Sequence, residues 1–186
     1  MRIISGLYKG KKILEPKDKQ TRPLKDLTKE SIFNIINHSN KFKINVSNAI
    51  VLDLFSGVGS FGLECLSRGV NEVIFVENYL GVLPILKKNL ANLKTIDNYS
   101  IIEEDIFSEN FLSNLKKSFD IIFLDPPYKI KNISKLLNKI RIFKLLNKNG
   151  IIILHRHKDE EENLPINFKI LENKKYGVSK IMFISD

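Results

Sequence analysis

From Ala49 onward the chain alternates short, almost wholly apolar runs with longer segments that are apolar along one side only. The runs near 49–54, 72–76, 99–103, 119–124 and 150–154 predict strands, and the segments near 60–68, 79–93, 108–117 and 133–145 predict helices. Strands apolar at nearly every position must be covered on both faces, which is the condition of a parallel sheet with helices on either side. Pro84 conflicts with the helix over 79–93 unless it falls in the first turn or kinks it. Beyond the polar run His155 to Asn163, the apolar pieces 168–172 and 180–184 flank Tyr176-Gly177 and predict a terminal antiparallel pair. The charged stretch Lys158-Asp159-Glu160-Glu161-Glu162 reads as a solvated loop.

Ahead of Ala49 the pattern changes. Two apolar pieces around a turn bearing Gly and Lys, within Ile3 to Leu14, predict a β-hairpin projecting from the core, and Pro16 to Pro23 reads as a basic loop. Asp26 or Thr28 is placed to cap a helix whose apolar face carries Ile32, Phe33, Ile35 and Ile36, and Asn37 to Asn48 is a polar connector. With 186 residues, one domain spanning 1–186 is the simplest organisation: a hairpin-and-loop extension over 1–25 and a core over 26–186.

Two turns carry candidate chemistry. The run ending at Leu54 enters a turn with glycines at 57, 59 and 62 and then a helix, the arrangement that places a nucleotide-like ligand at a helix N-terminus. Glycine is also needed in tight strand-to-helix turns that bind nothing, so the context decides. Glu77 ends the next strand, at about the ~20-residue offset where an acid meets ribose hydroxyls; a solvated strand end is the plainer alternative. Phe55 and Ser56 lengthen the loop, and Asp53 stands just before it, where a carboxylate repels phosphate and attracts an ammonium group. S-adenosylmethionine has the ammonium, ribose and adenine and lacks phosphate, so it suits this turn better than NAD. The second turn is Asp125-Pro126-Pro127-Tyr128, at the end of the run 119–124. Two prolines fix φ and supply no N–H, which presents carbonyls and the Asp125 carboxylate as acceptors, and Tyr128 offers a face for stacking a base. Such a group suits chemistry on an exocyclic base amine; taken alone it is also an ordinary strand-ending turn. The carboxyl ends of the strands should gather Gly57, Glu77, Asp105 and Asp125 in one crevice.

Lys and Arg exceed Asp and Glu by 30 to 21, a net charge of +9, which favours a polyanionic partner, although a general abundance of Lys, Asn and Ile gives the same total. Placement says more: Arg2, Lys9, Lys11, Lys12, Lys17, Lys19, Arg22 and Lys25 crowd the first 25 residues. Of these, Arg2, Lys9, Lys11, Lys12 and Arg22 are the candidate contacts to the phosphates of such a polyanion. The single Cys65 reads as a small core residue, and neither a disulfide framework nor a Cys/His metal site can be written. The start lacks the apolar stretch of a signal peptide, and no run approaches the ~18 apolar residues of a membrane span, so a cytoplasmic protein is expected; a monomer is the expected state.

Over nearly its whole length the chain resembles the bacterial 16S rRNA (guanine-N2)-methyltransferases of the RsmD type, within the class I methyltransferases. The resemblance rests on Met1-Arg2-Ile3-Ile4-Ser5-Gly6 with Lys9-Gly10-Lys11, on Thr21-Arg22-Pro23 followed by Lys29 to Asn34, on Asp53 to Gly59, and on Val76-Glu77, Asp125 to Tyr128 and Tyr176-Gly177. It implies an α/β Rossmann-like fold with a mostly parallel seven-stranded sheet and an N-terminal β-hairpin extension. It further implies S-adenosylmethionine held by Asp53, Phe55, Gly57, Gly59, Glu77, Asp105 and Ile106, with Asp105 on the adenine amine and Ile106 against the ring. Catalysis falls to Asp125, Pro126, Pro127 and Tyr128, acting on guanine N2. The chain departs from the family's usual pattern at Leu24 and Leu27, and at Leu154-His155-Arg156-His157, where a Glu is usual. Adenine-N6 methylation of RNA or DNA, and a non-catalytic RNA-binding assembly factor, are the competing expectations; five intact site residues, Asp53, Gly57, Gly59, Glu77 and Asp125, weigh against the latter.

Overall fold

The computed structural model describes residues 1–16, 24–127 and 129–186. A single seven-stranded sheet has the order β3-β2-β1-β4-β5-β7-β6, formed by β1 (Ile50–Leu54), β2 (Glu72–Val76), β3 (Tyr99–Ile102), β4 (Phe119–Leu124), β5 (Leu146–His157), β6 (Lys169–Tyr176) and β7 (Ser179–Ser185). β1 to β5 pair in parallel, and β7 lies antiparallel between β5 and β6. The expected fold class is borne out.

Alternation along each strand divides the apolar residues between two cores. Val51, Val73, Phe75, Ile121, Phe123, Ile151 and Ile153 face one side, where α1 (Asp26–His38), α2 (Ser60–Ser67) and α3 (Leu83–Ala91) pack; Leu52, Leu54, Ile74, Val76, Ile122, Leu124 and Ile152 face the other, with α4 (Phe111–Asn114) and α5 (Ile133–Ile142). Phe33 of α1, Phe61 of α2 and Phe123 of β4 form a stack with ring centroids 5.5 and 4.0 Å apart. The helix expected over 79–93 starts late enough that Pro84 falls in its first turn, where no backbone donor is lost, and the conflict disappears. The helix expected over 108–117 shrinks to four residues, because only Phe111 and Leu112 are buried.

The N-terminal segment does not project. It is a hairpin-like bracket with a single antiparallel bridge, Arg2 to Lys12, laid along α2 with Ile3 and Ile13 buried. Glu64 of α2 is fully buried and accepts from the N–H groups of Ile4 at 2.7 Å and Ser5 at 3.0 Å while pairing with Arg68 at 2.8 Å. From α1, the buried Lys29 donates to the Arg2 carbonyl at 2.5 Å. Burial pushes its ammonium pKa down, with Asp26 opposing. Asp26 makes no cap bond to α1; its carboxylate instead accepts from the Arg2 N–H at 3.2 Å and lies 3.4 Å from Lys29.

Gly62, third of the turn's glycines, sits on α2 against β2: a Cβ there would lie 2.2 Å from Cε1 of Phe75. Alanine gains roughly 1 kcal/mol of helix propensity, but overpacking against a buried ring costs about 1–3 kcal/mol. Gly62→Ala should therefore lower the unfolding free energy in a denaturant titration, and a variant more stable than the wild type would show that the Phe75 ring moves aside at no cost.

Candidate active site

Strands β1 and β4 are neighbours, yet the chain continues from β1 outward through β2 and β3 and from β4 outward through β5. A crevice opens where such paths diverge, beyond the carboxyl ends of the strands. Here it is a cavity of about 830 Å³. Asp53, Phe55 and Gly57 from the β1 exit, Glu77 from β2, Asp105 and Ile106 from β3, and Asp125, Pro126 and Pro127 from β4 all line it. The convergence expected from topology is thus present.

The glycine turn is held from inside. Gly57 and Gly59 have φ of 56° and 83°, and Phe55, a bulky residue, is also left-handed at 62°, which marks local strain at the cavity wall. The Gly57 N–H donates to Glu77 Oε2 at 2.8 Å, and Glu77 Oε1 accepts from the N–H groups of Asn78 at 2.9 Å and Tyr79 at 2.8 Å. Glu77 is therefore an anchored carboxylate rather than a loose strand end, and a carboxylate with about four lone-pair sites keeps capacity for a hydroxyl donor. Gly59 does not line the cavity; it precedes α2 in the left-handed region. Asp105 accepts from the Phe107 N–H at 2.9 Å. It caps a turn, since α4 begins only at Phe111, and Ile106 is buried in the wall beside it.

At the β4 exit Asp125 Oδ1 lies 2.8 Å from His155 Nδ1, and the buried Arg156 donates to the carbonyls of Pro127 at 3.4 Å and Ile130 at 3.0 Å. Arg156 is neutralised by Glu162 at 2.5 Å and Glu160 at 3.5 Å. The acidic stretch after β5 is therefore not merely a solvated loop: a buried guanidinium needs counter-charges, and this stretch supplies them. Tyr128 lies outside the described residues. His155, Lys25 and Lys129, also in the cavity lining, were not among the expected site residues. The signal for His155 is its position, a polar residue directly after the apolar run 150–154.

Of the expected RNA contacts, Arg22 lies outside the described residues. Arg2, Lys9, Lys11 and Lys12 are on the bracket and do not line the cavity. Its turn sits at Ser67, the end of α2 away from the crevice: Leu7 N–H donates to the Ser67 carbonyl at 2.7 Å. Lys11 bonds the Asn92 carbonyl and lies 5.1 Å from the Tyr8 ring centre. The basic turn thus lies away from the crevice mouth, because buried Glu64 draws the segment down along α2.

A family model described as "Conserved hypothetical protein 95" matches residues 1–185. The chain belongs to this family. It is 36% identical over 168 residues to a putative rRNA methyltransferase, YlbH, of Bacillus subtilis, covering 89% of this chain and 86% of that protein. With the ribosomal RNA small subunit methyltransferase D of Haemophilus influenzae it shares 31% identity over 183 residues, 96% of this chain and 90% of the relative. Among solved structures, a putative methyltransferase, yhhF, of Escherichia coli superposes with a TM-score of 0.82 at 25% identity, over 99% of this chain and 96% of that one. The resemblance to the RsmD type is borne out.

Asp53, at the base of the glycine turn, is 1% exposed, and its Oδ2 accepts from the Gly62 N–H at 3.0 Å, satisfying one of the free donors in the first turn of α2. Burial pushes its carboxyl well above the usual carboxylate range; the Gly62 N–H pulls it back, and Asp125 and Glu77 push it further up. Between the unfolded value of about 3.9 and this raised one, the folded protein binds more protons than the unfolded chain, so its stability falls as pH rises. Asp53→Asn keeps an acceptor for Gly62 and removes that fall. In ligand-free protein the variant should match the wild type near pH 4 and exceed it in thermal midpoint at pH 7.5; parallel pH profiles would contradict the assignment.

Proposed function

We propose that this protein transfers a methyl group from S-adenosylmethionine to the exocyclic N2 amine of a guanine in 16S rRNA of the small ribosomal subunit. It would do so as a cytoplasmic monomer built from one methyltransferase domain over 1–186, on free rRNA or a ribosomal particle. The observation that carries this reading is the meeting of two acceptor sets in one cavity: Asp53, Glu77 and Asp105 around the glycine turn, and Asp125 with Pro126 beside it.

The first set fits the cofactor by its chemistry. S-adenosylmethionine offers an ammonium, two ribose hydroxyls and an adenine amine, all donors, and the turn presents carboxylates at three separate strand ends. A pyrophosphate in the same place would meet Asp53 and Glu77 with like charge. When bound, the cofactor supplies an electrophilic methyl on a sulfonium. Ile106 gives the adenine an apolar face, and Phe55 closes the wall toward Phe107, 6.1 Å away between ring centres.

The second set acts on the base. The N2 lone pair of guanine is delocalised into the ring and is a weak nucleophile. Acceptance of its hydrogens by the Asp125 carboxylate and the Pro126 carbonyl, with the base stacked on Tyr128, favours a pyramidal nitrogen aimed at the methyl. The C–S bond breaks as the N–C bond forms, and the proton then leaves N2, so that S-adenosylhomocysteine, N2-methylguanine and a proton are the products. Lys25 and Lys129 at the cavity wall supply positive charge next to the phosphates that flank an unstacked base.

Two variants separate the halves of the site. Gly57→Val places a β-branched residue at a left-handed φ of 56°, and calorimetry should find cofactor binding lost. Asp125→Ala should bind S-adenosylmethionine as the wild type does yet transfer no labelled methyl to deproteinised 16S rRNA or to small subunits. Nucleoside analysis of the wild-type product distinguishes N2-methylguanine from N6-methyladenine, and a correctly folded, fully active Asp125→Ala would sink the mechanism.

The basic N-terminal residues are proposed as phosphate contacts on the RNA flanking the target. Replacing Lys9, Lys11, Lys12 and Arg22 together by Ala should weaken rRNA binding and flatten its salt dependence, by roughly 0.7–0.9 in the log–log slope for each phosphate that is no longer neutralised. Cofactor affinity should not change. An unaltered slope would place the RNA elsewhere and leave the charge of this segment to its packing on α2.

A further inference from the structure

The loop that follows β4 has an anchoring problem. Pro126 and Pro127 carry no N–H, so the backbone there can be fixed only through its carbonyls, and the carboxylate of Asp125 has to be oriented by a donor from elsewhere. The end of β5 supplies both. Successive side chains of a strand leave on opposite faces. Arg156, 1% exposed, takes the Pro127 and Ile130 carbonyls, and His155 on the other face reaches Asp125. With the backbone held by Arg156, rotation of the Asp125 carboxyl group is the freedom that remains.

His155 controls that rotation. A carboxylate can only accept, so Nδ1 of the imidazole is the donor in the 2.8 Å contact with Asp125 Oδ1. Nε2 of the same ring is buried and has no hydrogen-bond partner among the described residues. A buried polar atom left unpaired costs stability, and the preceding residues of β5, Ile151 to Leu154, are wholly apolar. An apolar residue at 155 would serve the core better. The gain that offsets the cost is the bond to Asp125, on the cavity wall.

We propose that His155 is a positioning residue for methyl transfer: by donating from Nδ1 to one oxygen of Asp125 it turns the other oxygen toward the exocyclic amine of the base. This inference rests on the methyl-transfer reading above. It assigns to this chain's own histidine the orientation of the carboxylate, with no covalent or proton-transfer step of its own.

Three substitutions at one position test it. His155→Asn sets its amide N–H close to where Nδ1 stood, His155→Gln sets it near the place of Nε2, and His155→Leu removes the donor. Turnover at saturating cofactor and 16S rRNA should be nearly wild-type in His155→Asn and about 10- to 100-fold lower in the other two, with the S-adenosylmethionine dissociation constant unchanged in all three. If His155→Leu does not fold, the Asn and Gln pair decides alone. Equal turnover in that pair, or full activity in a folded His155→Leu, overturns the inference while leaving the function standing. A wild type that binds cofactor but methylates neither rRNA nor small subunits overturns both.

Discussion

Everything in this molecule that resembles a site depends on one topological fact: β1 and β4 lie side by side while their successors depart in opposite directions. In register, Asp53 stands beside Phe123 and Leu54 beside Leu124, so the two strands end level with each other. The chain leaves β1 through the glycine turn and β4 through the proline turn, and neither exit covers the other. A pocket between them is enforced by the sheet, and the glycine turn and the proline turn are brought together by the pairing of β1 with β4. The apolar elements beneath supply the rigidity, with Phe61 of α2 and Phe123 of β4 stacked at 4.0 Å in the lining of the crevice.

Electrostatic tension is concentrated at that floor. Asp53, Glu77 and Asp125 share a small volume, and the protein handles each differently: Asp53 is buried with its carboxyl pushed up, Glu77 is held by three backbone donors, and Asp125 is bound by a histidine. A cationic ligand relieves the crowding, which ties affinity to the arrangement of negative charge. The glycines of the turn divide their labour in the same way. Gly57 presents its N–H to Glu77, while Gly62 has a packing role and lies against Phe75.

The parallel core was legible from sequence because a strand buried on both faces admits few polar residues, and runs such as Ile121 to Leu124 leave little choice of structure. Glu77 and Asp125 could be placed because each follows directly on such a run, and Asp53 because it is the one polar residue of the run Ile50 to Leu54. The rest depended on partners far along the chain. The acidic stretch after β5 looks solvated until Arg156 is known to be buried, and nothing local to Arg156 says that it turns inward to the proline loop. The bracket misleads for a similar reason: Lys-rich and short, it reads as a projection, and only Glu64, some sixty residues on, explains its docking. α4 falls short in length, since a helical pattern without enough buried residues does not persist.

The antiparallel strand β7 sits between β5 and β6, and its Ile181 and Lys180 pair with His155 and Arg156. During synthesis the cofactor half of the crevice, made by β1, β2 and β3, has all its strands complete well before β7 emerges. The base-holding half does not: β5 keeps an open edge at the residues that grip the proline loop until the segment 179–185 docks against it. The strands under the glycine turn are thus complete early, and the edge that carries His155 and Arg156 is closed late, so the grip on the proline loop is the last part of the crevice to be secured.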